Sequence, residues 1–224
     1  MIIEFLGLPG VGKSYLGKQI EKELSYRDIK CISVVERSRT SLIWKLLSKC
    51  LHIGISRMPK YIRLRNELAD LAYPYTSARP KYNDNYVRVA NYIEQIAFLD
   101  YVYAKLQSSK NIYIYDEGIA QQFANMIVNF EVDIETIQSM ILLLGKKPKT
   151  VYMTYSVDKI KESITLRNRH VCYIDELKDG ELNKFLISYQ KACNMVSCVF
   201  KPLIIDRADD GQLNIDRIIN TTIG

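Results

Sequence analysis

The chain has 224 residues, is 48% hydrophobic and 25% charged, and carries a formal net charge of +6, which fits an anionic small molecule as readily as nucleic acid. Five cysteines (Cys31, Cys50, Cys172, Cys193 and Cys198) form no C-x-x-C pair and meet only two histidines, which argues against a zinc site and for buried free thiols. The most apolar run, Ile141–Leu144, is far short of the roughly 20 residues that span a bilayer, and no basic segment precedes the apolar start, so a soluble, cytoplasmic protein is expected.

Short apolar runs alternate with helical patterns, the signature of a parallel sheet covered by helices on both faces. The expected strands are Ile2–Leu6, Cys31–Val35, Ile112–Tyr115, Thr150–Thr154 and Phe200–Asp206, each rich in Ile, Val, Tyr or Phe. After the first strand, Leu16, Ile20 and Leu24 share a helix face. Further on, Tyr92, Ile96, Leu99, Tyr103 and Leu106 alternate spacings of four and three. Ile134, Ile137, Ile141 and Leu144 form a third stripe, and Leu182, Phe185, Tyr189, Cys193 and Val196 a fourth. A final helix is expected over about Asn214–Thr222. No linker divides the chain, so residues 1–224 read as one domain.

The second and third expected strands are separated by about 75 residues, more than one crossover helix requires. This stretch is basic and tyrosine-rich, and Pro59, Pro74 and Pro80 break it into pieces. It reads as a helical insert, about 52–108, able to close over a ligand.

Gly7, Leu8, Pro9, Gly10, Val11, Gly12, Lys13 and Ser14 match G-x-x-x-x-G-K-[ST]. The glycines let main-chain N–H groups turn inward as a phosphate nest, and the following helix offers its N-terminal dipole to the same anion. Lys13 supplies a point charge to the β- and γ-phosphates, and the Ser14 hydroxyl is a magnesium ligand. Chance produces such a match in about one chain of this length per hundred. Here it also follows a strand signal and opens an amphipathic helix, as the chemistry requires. Bound ATP and magnesium are therefore expected.

A P-loop needs an acid for its magnesium at the end of a neighbouring strand. The run Ile112–Tyr115 followed by Asp116, Glu117 and Gly118 supplies two, with Asp116 the first choice and Glu117 a second metal-side candidate. A strand ending in a polar turn would look alike, so this signal gains its weight from the P-loop.

With these motifs, the chain resembles the nucleoside and nucleotide kinases of the P-loop class, notably thymidylate kinase-like proteins. The resemblance implies a three-layer α/β/α fold with a five-stranded parallel sheet and an inserted helical lid region. It also implies transfer of the ATP γ-phosphate to a small acceptor. In that family an arginine-bearing lid follows the fourth strand, which corresponds here to about 156–180. Ser156 is the expected N-cap of its helix, Val157, Ile160 and Ile164 its packed stripe, and Arg167 and Arg169 its phosphate contacts. The resemblance further marks Glu36, after the second strand, as a base for an acceptor hydroxyl.

The chain departs from the family in two places. After the acid at the third strand, where the family usually has arginine, stand Glu117 and then Gly118, and Glu36 is followed by Arg37 and Ser38 where a proline-containing run is usual. Nucleoside, nucleotide and sugar-type acceptors all stay open, as does assembly as a homodimer. A P-loop ATPase or switch without a small acceptor is the main alternative, although neither an Asn-Lys-x-Asp nor a Leu-Ser-Gly-Gly-Gln-like segment is present. Nucleic-acid binding by the insert is disfavoured, because Tyr92 and Tyr103 lie on a core stripe and Asp70, Asp84, Glu94 and Asp100 interrupt the charge.

Overall fold

A computed structural model describes residues 1–34, 54–82, 88–145, 147–167 and 173–223. Five parallel strands form one sheet in the order β2-β3-β1-β4-β5: β1 Ile2–Gly7, β2 Cys31–Ser33, β3 Ile112–Tyr115, β4 Lys149–Thr154 and β5 Leu203–Asp206. The helices are α1 Lys13–Tyr26, α2 Pro59–Ala72, α3 Val89–Leu106, α4 Ile119–Phe130, α5 Ile134–Leu143, α6 Val157–Arg167, the short α7 Tyr173–Glu176, α8 Asp179–Phe200 and α9 Gly211–Ile223.

Strand β1 lies at the centre, paired with β3 on one side and β4 on the other, and every residue from Ile2 to Gly7 is buried. Successive strand side chains point to opposite faces, and Phe5 and Glu4 do so. The Phe5 ring lies against Gly17 of α1, whereas Glu4 reaches the first residues of α4. Helices α1 and α4 therefore cover opposite faces of the sheet. On the α4 face, α3, α4 and α8 pack side by side; on the other, α1 meets α9.

Local signals explain the element ends. Pro59 occupies the first turn of α2, where a missing N–H costs nothing. Asp133 caps α5 by accepting the Thr136 N–H at 2.7 Å. Ser156 lies 3.4 Å from the Lys159 N–H at the start of α6, as its sequence position suggests. The stripe of α6 is also as expected, with Ile160 and Ile164 buried.

Three sequence expectations need correction. The fifth strand does not begin at Phe200. Helix α8 continues through that residue, Lys201 turns left-handed at φ 49°, and Pro202 prevents continuation, so the strand starts at Leu203. The last helix begins at Gly211 rather than Asn214, because the Asp210 carboxyl accepts the N–H groups of Gln212 (2.9 Å) and Leu213 (3.0 Å). Of the thiols, Cys193 is buried and Cys31 half-buried, but Cys198 is exposed. Cys50, Cys172 and the expected strand residue Val35 lie outside the described residues.

Helix α4 has no counterpart among the sequence expectations. Its buried set includes Ile119, Ala120, Phe123, Ala124, Met126, Val128 and Phe130, together with Gln121, Gln122 and Asn129. Ile119, Phe123, Met126 and Phe130 recur at spacings of four, three and four, and the polar residues Gln121, Gln122 and Asn129 are buried as well, with α3 and α8 packed alongside. Among the described residues, no helix is long and apolar enough to cross a membrane.

Candidate active site

Four strands deliver their C-terminal ends to one edge of the sheet. There β1 runs into the glycine-rich loop, β3 into Asp116 and Glu117, β4 into Tyr155 and Ser156, and β5 into Arg207. In parallel α/β sheets this edge is where ligands bind.

The loop has the backbone that its sequence demands. Gly10 and Gly12 adopt φ of 91° and 102°, which a β-carbon would penalise. Gly7, at φ 155°, is constrained by space as well, because a β-carbon there would sit 2.8 Å from the Met153 carbonyl on β4. The Val11 N–H donates to the Leu8 carbonyl at 3.2 Å and closes the turn. Gly12 caps α1 with no side-chain bond, leaving the first helical N–H groups directed at the loop mouth.

Lys13 is 8% exposed, and its Nζ donates to the carbonyls of Gly7 (2.7 Å) and Leu8 (3.2 Å). The ammonium thus lies back over the loop, with its charge held by main-chain dipoles. It reaches the underlying layer too. Burial pushes the Cys193 thiol of α8 up to about 12, and the Lys13 charge is what pulls it the other way. Ser14, next along α1, is exposed.

The two acids after β3 serve different neighbours. Asp116 is 6% exposed, and its Oδ1 would lie 3.6 Å from a β-carbon placed on Gly17. Gly17 is one turn beyond Ser14 on the same helix, so the absent side chain lets this carboxyl approach α1. Glu117 is exposed, and its charge adds to the burial that raises the hydroxyl pKa of both Tyr92 and Tyr189. Ser14 and Asp116 offer hard oxygen donors, the type that magnesium takes alongside phosphate and water. Among the described residues, no three His, Cys, Asp or Glu side chains form a metal cage.

Of the remaining expected site residues, Glu36 and Arg169 lie outside the described residues. Arg167 is the last residue of α6, and its side chain lies outside them as well.

Sequence reasoning missed three residues here. Gln121 of α4 accepts the Gly7 N–H at 3.1 Å and donates to the Tyr189 hydroxyl at 2.5 Å; that hydroxyl donates in turn to Asn125. In the sequence pattern Tyr189 stands only on a core stripe. Arg207 donates from Nη1 to the Gly10 carbonyl at 3.1 Å while its guanidinium stacks 4.9 Å from the Tyr155 ring centroid. Glu4 anchors the start of α4. None stands in a motif; each acts across more than a hundred residues, or at a strand end that reads as an ordinary turn.

No protein-family model and no curated protein matches the sequence. Among solved structures, the chain is similar to deoxyadenosine kinase from M. mycoides with bound dATP, at 15% identity over 100% of both chains and a TM-score of 0.52. It is also similar to that enzyme with products dCMP and a flexible dCDP bound, at 16% identity over 99% of this chain and 97% of the other, with a TM-score of 0.50. The likeness extends end to end and establishes the P-loop kinase fold, a five-stranded parallel sheet with helices on both sides.

Proposed function

We propose that the protein is a small-molecule kinase that moves the γ-phosphate of Mg-ATP to a small-molecule acceptor. The observation that supports this most is the Lys13 ammonium, folded onto the Gly7 and Leu8 carbonyls with the Asp116 carboxyl facing the same helix.

Each residue then has a defined task. The loop of residues 7–14 binds the phosphates through its main-chain N–H groups other than those of Gly7 and Val11, which Gln121 and Leu8 already hold, and Lys13 swings from its carbonyls to the β- and γ-oxygens. Ser14 and Asp116 orient a magnesium ion, and Glu117 adds a second carboxyl at the mouth. When bound, that ion neutralises charge on the β- and γ-phosphates. From a hydroxyl acceptor, Glu36 takes the proton as the acceptor oxygen bonds to the γ-phosphorus and the bond to ADP breaks. Arg167 and Arg169, from a lid over about 156–180, stabilise charge on the transferring group. Residues 52–108 contribute the acceptor side of a single kinase-like domain. Positioning and electrostatics supply most of the rate enhancement.

For the acceptor, we favour a nucleoside or nucleotide. The full-length likeness to a deoxyadenosine kinase and the resemblance to thymidylate kinase-like proteins both lean that way. The test is incubation with ATP labelled on its γ-phosphate and magnesium, alone and then with nucleosides, nucleoside monophosphates and sugars in turn. Label should move to one acceptor class. Hydrolysis indifferent to every acceptor would replace the kinase reading with that of an ATPase or switch.

A further inference from the structure

We propose that Glu4 is a positioning residue: its buried carboxyl fixes where Asp116 stands relative to the phosphate loop. The proposal rests on the reading that Asp116 serves the magnesium of a bound nucleotide.

Glu4 lies in the middle of β1 and is fully buried between Ile3 and Phe5, where an apolar side chain would cost far less. What retains it is a complete set of donors. Oε2 accepts the Ile119 N–H at 2.7 Å and the Tyr103 hydroxyl at 3.0 Å. Oε1 accepts the Ala120 N–H at 3.2 Å and the Thr150 hydroxyl at 3.0 Å. The four donors come from α4, α3 and β4, so this one side chain joins β1 to three other elements.

Two of those donors are the first N–H groups of α4. Gly118, which precedes that helix, has no side chain to cap them. Glu4 is therefore the N-cap of α4, supplied from the central strand. Gly118 is the necessary counterpart, because a β-carbon there would overlap the Glu4 carboxyl.

The consequence falls on the acidic turn. Tyr115, before Asp116, pairs in register with Glu4 in the sheet. Ile119, after Gly118, is held by the Glu4 side chain. Both ends of the Asp116–Gly118 turn are thus tied to one residue of β1, three positions upstream of Gly7. The requirement is chemically narrow. Each carboxyl oxygen accepts one main-chain N–H, so an amide would set its NH2 against a donor. Glutamine, although the same size, cannot take the place of Glu4.

The test compares ATP binding by the full chain with and without magnesium for wild type, Glu4→Gln, Thr150→Val and Tyr103→Phe. Binding without metal reports the loop and Lys13; the metal enhancement reports Asp116. In Glu4→Gln the half-saturating magnesium concentration should rise about tenfold or more, with metal-free ATP affinity within about twofold of wild type. Thr150→Val and Tyr103→Phe keep both main-chain bonds and should shift the metal requirement about threefold each. An unaltered metal requirement in Glu4→Gln overturns the proposal, as does equal loss of binding with and without metal. Should Glu4→Gln fail to fold, unaltered metal requirements in both hydroxyl variants overturn it. Wild type that binds no ATP under either condition would instead remove the nucleotide reading, and ATP binding with no magnesium enhancement would remove the role of Asp116.

Discussion

Gln121 and Gly7 are joined by a 3.1 Å hydrogen bond from the first amide of the glycine-rich loop to a side chain 114 residues away. The bond is buried, so it does more than a surface contact would. It fixes the point where β1 stops being a strand and becomes a loop. Replacing Gln121 with leucine keeps the volume but leaves the Gly7 N–H and the Tyr189 hydroxyl without that partner. We expect a loss of about 1–3 kcal/mol. Urea denaturation should give a lower midpoint with an unchanged slope. An unchanged midpoint would mean that the loop does not depend on α4.

Gly118 and Glu4 compete for one volume, which predicts a specific non-additivity. Gly118→Ala should cost about 1–3 kcal/mol through overpacking against the Glu4 carboxyl. In a Glu4→Gly background both the carboxyl and the Glu4 β-carbon, which alone would lie 2.5 Å from the new methyl, are gone, and the same change should cost less than about 0.5 kcal/mol. A double-mutant cycle on folding stability measures the difference. Equal costs in both backgrounds would show that the two positions are not in contact.

The fold was largely legible in the sequence because its strands are short apolar runs and most of its helices are amphipathic. All five strands stand where their residues suggested, apart from the end of β2, which stops at Ser33, and the start of β5, where a helix outlasted its stripe by way of Phe200. Helix α4 carries the same signal, with Ile119, Phe123, Met126 and Phe130 at spacings of four, three and four; what no local period reveals is that its polar face is buried too, with Gln121 and Asn129 bonded to partners distant in sequence. The site divides along the same line. Gly7–Ser14 and Asp116 could be read because local spacing carries their chemistry. Glu4, Gln121 and Arg207 could not, since each gains its meaning from a partner distant in sequence. A glutamate in the middle of a buried strand is, even so, a local contradiction of apolar patterning, and it was the one available sign that something there needed a carboxyl.

Asp133 predicts a pH dependence. The Tyr75 hydroxyl first, and then the Thr136 N–H, hold its carboxyl down at about 2, below its ordinary value of 3.8. A depressed acid contributes stability above its ordinary value and loses it as pH falls toward the folded value. Asp133→Ala should therefore cost about 1 kcal/mol near neutrality, the usual worth of an N-cap. That gap should narrow below about pH 4 and be largely closed near pH 2. Urea midpoints of both proteins across this range provide the check; a gap constant with pH would separate the carboxyl from the cap.

The central claim is that the loop and Lys13 grip a polyphosphate. It is tested most directly by calorimetric titration of ATP into wild type and Lys13→Met, a change that keeps most of the buried stem and removes the charge. We predict that wild type binds and that the variant loses about a hundredfold in affinity, the equivalent of about 2.7 kcal/mol, while its melting temperature stays close to that of wild type. Equal affinity in the two proteins would contradict the account.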